Sequence, residues 1–122
     1  MTRAVRGAIQ VGENSQKAIE TSAVRLVSEV LRANAIEERE IVSIVFSLTE
    51  DLTSANPATA IRRRGFAATP LFCAQEPRIE GGMPRVIRVL VTFESAERQE
   101  IIAVYLDGAE ALRTDLTHGS AQ

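Results

Sequence analysis

The sequence predicts an α+β domain: a mixed five-stranded sheet with one long helix and one short helix. Three observations carry that prediction. Short runs rich in β-branched and apolar residues recur along the chain, the strongest being IVSIVFSL at 41–48 and VIRVLVTF at 86–93. Between Ser15 and Asn34 the apolar residues fall instead at helical spacing. The dipeptide Asn56-Pro57 then supplies a capping residue followed by proline at the first helical position.

Ala4 to Val11 alternates as a strand does, and Gly7 within it marks a close approach or a bulge. Asn14 and Ser15 offer N-cap chemistry for the long helix. Its apolar stripe is Ile19, Ala23, Leu26, Val27, Val30 and Leu31, with Lys17, Glu20, Arg25, Glu29 and Arg32 largely off it. Such a helix covers a core on one side only. Glu37, Glu38 and Glu40, with Arg39 between them, read as a solvated loop before the buried strand Ile41 to Leu48.

The segment TEDLTSAN is polar and turn-like, and the short helix runs from Pro57 through Arg63, closed by Gly65. Pro70 to Gln75 is the third strand. The Gly81-Gly82 loop leads to the fourth, Val86 to Phe93. Ala96 to Glu100 is expected to form one helical turn, Ile101 to Leu106 the fifth strand, and Asp107-Gly108 its end. From about Thr114 the tail is polar and expected to fray. One long helix cannot cover both faces of such a sheet, so the second face is expected to meet another subunit.

The 122 residues fit one domain spanning 1–122. A net charge of −2 argues against nucleic acid or an anionic membrane surface as partner. No segment approaches the apolar length of a membrane span, and MTRAVRGAIQV lacks the apolar run of a signal peptide. A cytoplasmic protein is expected. The single cysteine, Cys73, leaves no internal disulfide framework or multi-cysteine metal site. His118, the one histidine, lies in the polar tail, so zinc, iron or copper binding and Ser-His or Cys-His hydrolysis are all unsupported. Gly81-Gly82 lacks the Lys and Ser/Thr of a phosphate-cradling loop. Neither metal nor cofactor is expected.

Charge placement is more informative than charge balance. Of the 14 Lys and Arg residues all but Lys17 are arginine, the side chain suited to bidentate capture of carboxylates. Arg6 and Arg88 lie inside predicted strands, and Arg62, Arg63 and Arg64 sit on the short helix. A guanidinium in a strand needs a carboxylate partner, a wet cleft or an anionic ligand. An internal ion pair with Glu76 or Glu13 and a binding site are equally open on these grounds. Tyr105 in IIAVYL reads as core with its hydroxyl at the sheet edge. Cys73 beside Phe72 reads as a small buried hydrophobe.

The motifs RAVRGA at 3–8, TEDL at 49–52 with NPATAIR at 56–62, PLFCAQE at 70–76, IRVL at 87–90, and VYL at 104–106 with ALR at 111–113 tilt that balance. In this order the chain resembles the monofunctional, trimeric pseudo-α/β-barrel class of chorismate mutase, from Arg3 to about Asp115. The resemblance implies a homotrimer with active sites in the clefts between subunits. It also implies conversion of chorismate to prephenate by an intramolecular Claisen rearrangement, without a cofactor.

On that resemblance, Arg6 binds a substrate carboxylate and Arg88 faces the ether oxygen of the breaking bond. Glu76 accepts a hydrogen bond from the ring hydroxyl, with Cys73 beside it, and Tyr105 helps hold a carboxylate. Arg62 comes from the adjoining subunit, with Ala58 and Thr59 lining the same edge, while Leu112 and Arg113 pack over the cleft. The chain departs from the family's usual residues at Asn56, Thr59 and Val86, around the cleft rim. Two alternatives remain beside this one: a non-catalytic ligand-binding trimer on a related fold, and an oligomer in which Arg6, Glu76 and Arg88 form an internal ion-pair network.

Overall fold

The structure is a computed structural model describing residues 1–96 and 100–113 of the chain, Arg113 by its backbone only. Five strands form one sheet: β1 (Thr2–Gln10), β2 (Ile41–Leu48), β3 (Leu71–Gln75), β4 (Val86–Glu94) and β5 (Val104–Leu106), in the order β3-β2-β4-β1-β5. The two helices are α1 (Gln16–Ala33) and α2 (Pro57–Arg63). β4 is antiparallel to both its neighbours, β1 and β2, whereas β2–β3 and β1–β5 pair in parallel. The predicted α+β sheet with one long and one short helix is thus the observed one.

α1 starts where the capping chemistry places it: the Ser15 hydroxyl accepts a hydrogen bond from the Ala18 amide at 3.1 Å. Its Ile19, Ala23, Leu26, Val27 and Val30 are buried against one face of the sheet. Ile44 and Phe46 of β2 and Ile87, Val89, Val91 and Phe93 of β4 form the other half of that core. Gly7 permits the approach. A Cβ there would lie 3.0 Å from Val30 Cγ2 and from the Val104 carbonyl oxygen. Of the two expectations for Gly7, close approach is correct; the irregularity in the sheet lies in β2, between Ile41 and Ser43.

At α2 the Asn56 side chain accepts from the Ala58 amide at 2.9 Å, Pro57 occupies the first turn, and Gly65 follows the C-cap with φ 116°. The helix packs against α1 and β3, on the covered side of the sheet.

Two expectations need correction. The fifth strand is not Ile101–Leu106 but only Val104–Leu106. Its first half is diverted because the buried Asn34 side chain donates to the Ile102 carbonyl at 2.9 Å and accepts from the Ile102 amide at 2.7 Å. The acidic run is not a plain loop: Glu38–Glu40 form a 3₁₀ turn closed by reciprocal Glu37 and Glu40 side-chain bonds. A second 3₁₀ turn, Ala109–Arg113, follows β5 and was not foreseen. The turn expected at Ala96 to Glu100 includes 97–99, and the polar tail with His118 begins at 114; both lie outside the described residues.

Candidate active site

Among the described residues neither α-helix covers the second face of the sheet, and only the short Ala109–Arg113 turn packs on it, at the β1–β5 end. Register places Ala74, Ser47, Arg88, Ala8 and Tyr105 side by side across it, one residue from each strand. Arg88 is therefore flanked by small side chains, which leaves space above the sheet. In the next row Phe72, Val45, Leu90 and Arg6 are neighbours. Arg6 stands diagonal to Arg88, a spacing of about 7–8 Å that long side chains span.

Glu76 lies one residue past β3, its amide held by the Leu48 carbonyl at 2.6 Å. Its Oε1 accepts from Arg88 Nη1, and its Oε2 accepts from the Ser47 hydroxyl at 2.5 Å. The side chains of Arg88 and Glu76 are 42% and 21% exposed, so the pair is wet rather than core. The Arg88 Nε and Nη2 groups bond to none of the described residues. Glu76, Arg88 and Leu112 line an open cleft of about 1200 Å³, walled by the loop 77–84 and by Thr49, Glu50 and Asp51.

That wall is fastened to the sheet at several points. Asp51 accepts from the Arg85 amide at 3.1 and 3.0 Å and from the Thr49 hydroxyl at 2.6 Å, and Thr49 Oγ1 accepts from the Val86 amide at 3.0 Å. These bonds set the entry to β4 three residues before Arg88.

The sequence-predicted residues divide into two sets. Arg88, Glu76, Arg6 and Tyr105 share the open face, and Leu112 joins Tyr105 in a small cluster around Ala8, Val86 and Ala109. Arg6 is exposed and makes no ion pair with a described residue, Glu13 included. The other set stands elsewhere within the protomer. Ala58 is buried in the main core, whereas Thr59 is half-buried and Arg62 exposed on α2; none of the three lines the cleft. Cys73 is in register with Phe46 and packs against the main core, so its thiol lies on the covered face. Burial there pushes the Cys73 thiol up. The side chain of Arg113 is outside the described residues.

Ser47 and the Thr49–Asp51 pair were not singled out from the sequence. Ser47 had one signal, a small polar residue in an apolar strand, but only the register places it beside Arg88.

Among the described residues no group of three His, Cys, Asp or Glu is placed to hold a metal ion, and no helix is long and apolar enough to cross a membrane. Fold and cleft together define a small α+β protein with a partly exposed Arg88–Glu76 pair on the wall of an open cleft. A family model for chorismate mutase type I matches residues 2–116. The chain is 42% identical over 118 residues to Chorismate mutase AroH of Thermus thermophilus, covering 95% of this chain and 97% of that one. It is 32% identical over 119 residues to Chorismate mutase AroH of Bacillus subtilis strain 168, covering 96% and 94%. Among solved structures, a chorismate mutase from Clostridium thermocellum matches with a TM-score of 0.85 at 35% identity, over 89% of this chain and 98% of that one. The chain belongs to the chorismate mutase type I family.

Proposed function

We propose that the protein rearranges chorismate to prephenate for phenylalanine and tyrosine synthesis, as a homotrimer whose clefts are completed by neighbouring subunits. One observation carries the reading: the Glu76–Arg88 pair at the wall of an open cleft, with guanidinium N–H groups that bond to none of the described residues. The rearrangement breaks a C–O bond and forms a C–C bond within one molecule, with no proton transfer and no covalent enzyme intermediate. It needs the substrate folded into a chair-like conformer, and a fixed cation where negative charge grows on the ether oxygen.

Arg88 supplies that cation. Its bond to Glu76 uses the Nη1 end and orients the guanidinium without consuming it. Glu76 accepts from the ring hydroxyl, and the Cys73 thiol, on the covered face, does not stand beside it. Arg6 and Tyr105 hold a carboxylate, and Leu112 with Arg113 closes over the cleft. Within one protomer Arg62, Thr59 and the backbone at Ala58 sit at the β3 side, away from this cleft; in the trimer they serve the neighbour's.

The assembly reading has its own support. Phe72, Val45 and Leu90 form an apolar row on the open face and are 63%, 38% and 43% exposed, an arrangement a monomer rarely leaves in water. The Arg88–Glu76 pair itself was one of the alternatives open from the sequence. Its position on a wet cleft, with Arg6 nearby and lacking a described acid, favours a ligand site over an internal network.

The test is loss of chorismate absorbance with formation of prephenate, alongside a solution mass measurement. Turnover and a mass of three 13.3 kDa chains are expected. Unchanged chorismate sinks the catalytic reading, and a monomeric mass sinks the shared cleft.

A further inference from the structure

We propose that Ser47 is a positioning residue of this site: its hydroxyl fixes one oxygen of the Glu76 carboxylate so that the other stays aimed at Arg88 and the ligand. The proposal rests on the functional reading above for the identity of that ligand.

Backbone placement alone does not orient Glu76. Its amide is anchored to Leu48, but the terminal torsion of a glutamate is broad, and the carboxylate plane can turn. Two donors on two different oxygens remove that freedom. Arg88 Nη1 reaches Oε1, and the Ser47 hydroxyl reaches Oε2 at 2.5 Å, the length of a charge-assisted O–H···O⁻ bond. Ser47 is placed for this by register, opposite Arg88 on one side and Ala74 of β3 on the other.

The residue type suits the position. β2 is otherwise rich in Ile and Val, yet a β-branched alkyl side chain here would fill the space above the sheet and offer no donor. Ser47 supplies a rotatable hydroxyl and little bulk. When a ligand hydroxyl donates to the second lone pair of Oε1 beside Arg88, the Ser47 bond at Oε2 persists, so the carboxylate keeps its plane. The guanidinium then keeps its Nη1 bond and offers Nε and Nη2 to the reacting oxygen.

The kinetics of S47A, S47T and the double variant S47A/E76A test the proposal. S47A should lower kcat about tenfold while KM moves less than about threefold, and S47T, which keeps the hydroxyl, should stay within about threefold of wild type. In the E76A background S47A should add nothing, because no carboxylate is left to hold. A wild-type kcat in S47A, or full additivity in the double variant, overturns the proposal. A crystal structure of S47A reads the same claim without substrate: a Glu76 carboxylate rotated or split over two orientations supports it, and an unmoved one overturns it. Should wild-type protein leave chorismate unchanged, the functional reading falls, and that crystal structure alone decides the role of Ser47.

Discussion

Along β4, Ile87, Val89, Val91 and Phe93 are buried beneath α1, whereas Arg88, Leu90 and Thr92 occupy the face that neither described α-helix covers. The same alternation divides β2, with Ile44, Phe46 and Leu48 inside and Ser43, Val45 and Ser47 outside. On these two strands the covered face has side chains chosen for volume, and the open face of the sheet mixes small residues, two arginines and an apolar row. The difference teaches where each property resides. Fold stability sits on the covered face, and the proposed chemistry and assembly fall on the open one, so substitutions on neighbouring residues should fail in different ways.

The largest effect is expected on the covered face. Phe46 is fully buried between helix and sheet, and Phe46→Ala should cost about 3–5 kcal/mol in chemical denaturation. For a domain this small that is a large share of the total stability. Its cross-strand neighbourhood on the open side gives the contrasting case. Leu90→Asp should leave the protomer folded by circular dichroism but weaken the proposed trimer, since burying a leucine there would contribute about 1.5–3 kcal/mol and a carboxylate would have to be desolvated instead. Sedimentation at micromolar concentration checks it; an unchanged trimer would show that the open-face row is not an interface.

A smaller loss is expected at Gly7, where the two faces are coupled through the thickness of the sheet. Gly7→Ala places a methyl 3.0 Å from Val30 Cγ2 and the Val104 carbonyl, so α1 or β5 must shift. Overpacking of this kind costs about 1–3 kcal/mol. Because Val104 leads directly to Tyr105, a thermal melt and a KM measurement should move together.

Much of this division was legible in the sequence because it depends on local periodicity. The helical stripe from Ile19 to Val30, the Ser15 and Asn56 caps, and the alternation around Arg88 are all within reach of a few residues' spacing. What escaped depends on contacts between distant segments. Asn34 shortens β5 by binding Ile102, 68 residues away, and nothing near Ile102 announces it. Ser47 and Glu76 are 29 residues apart, and their meeting follows from the parallel pairing of β2 with β3. A guanidinium at position 88 needs a carboxylate partner, a wet cleft or an anionic ligand. The structure supplies the acid, Glu76, in the same protomer, and the cleft beside it leaves room for the ligand as well.

The central claim is that Arg88 serves the reaction and not the fold, and R88A measured for turnover and stability together tests it most directly. Loss of a donor aimed at developing charge should lower kcat about 10²–10³-fold. R88K should recover little of it, since an ammonium lacks the planar fork. Stability should change by no more than about 1 kcal/mol, because the pair with Glu76 is partly exposed. A folded R88A trimer that converts chorismate at the wild-type rate would contradict the account.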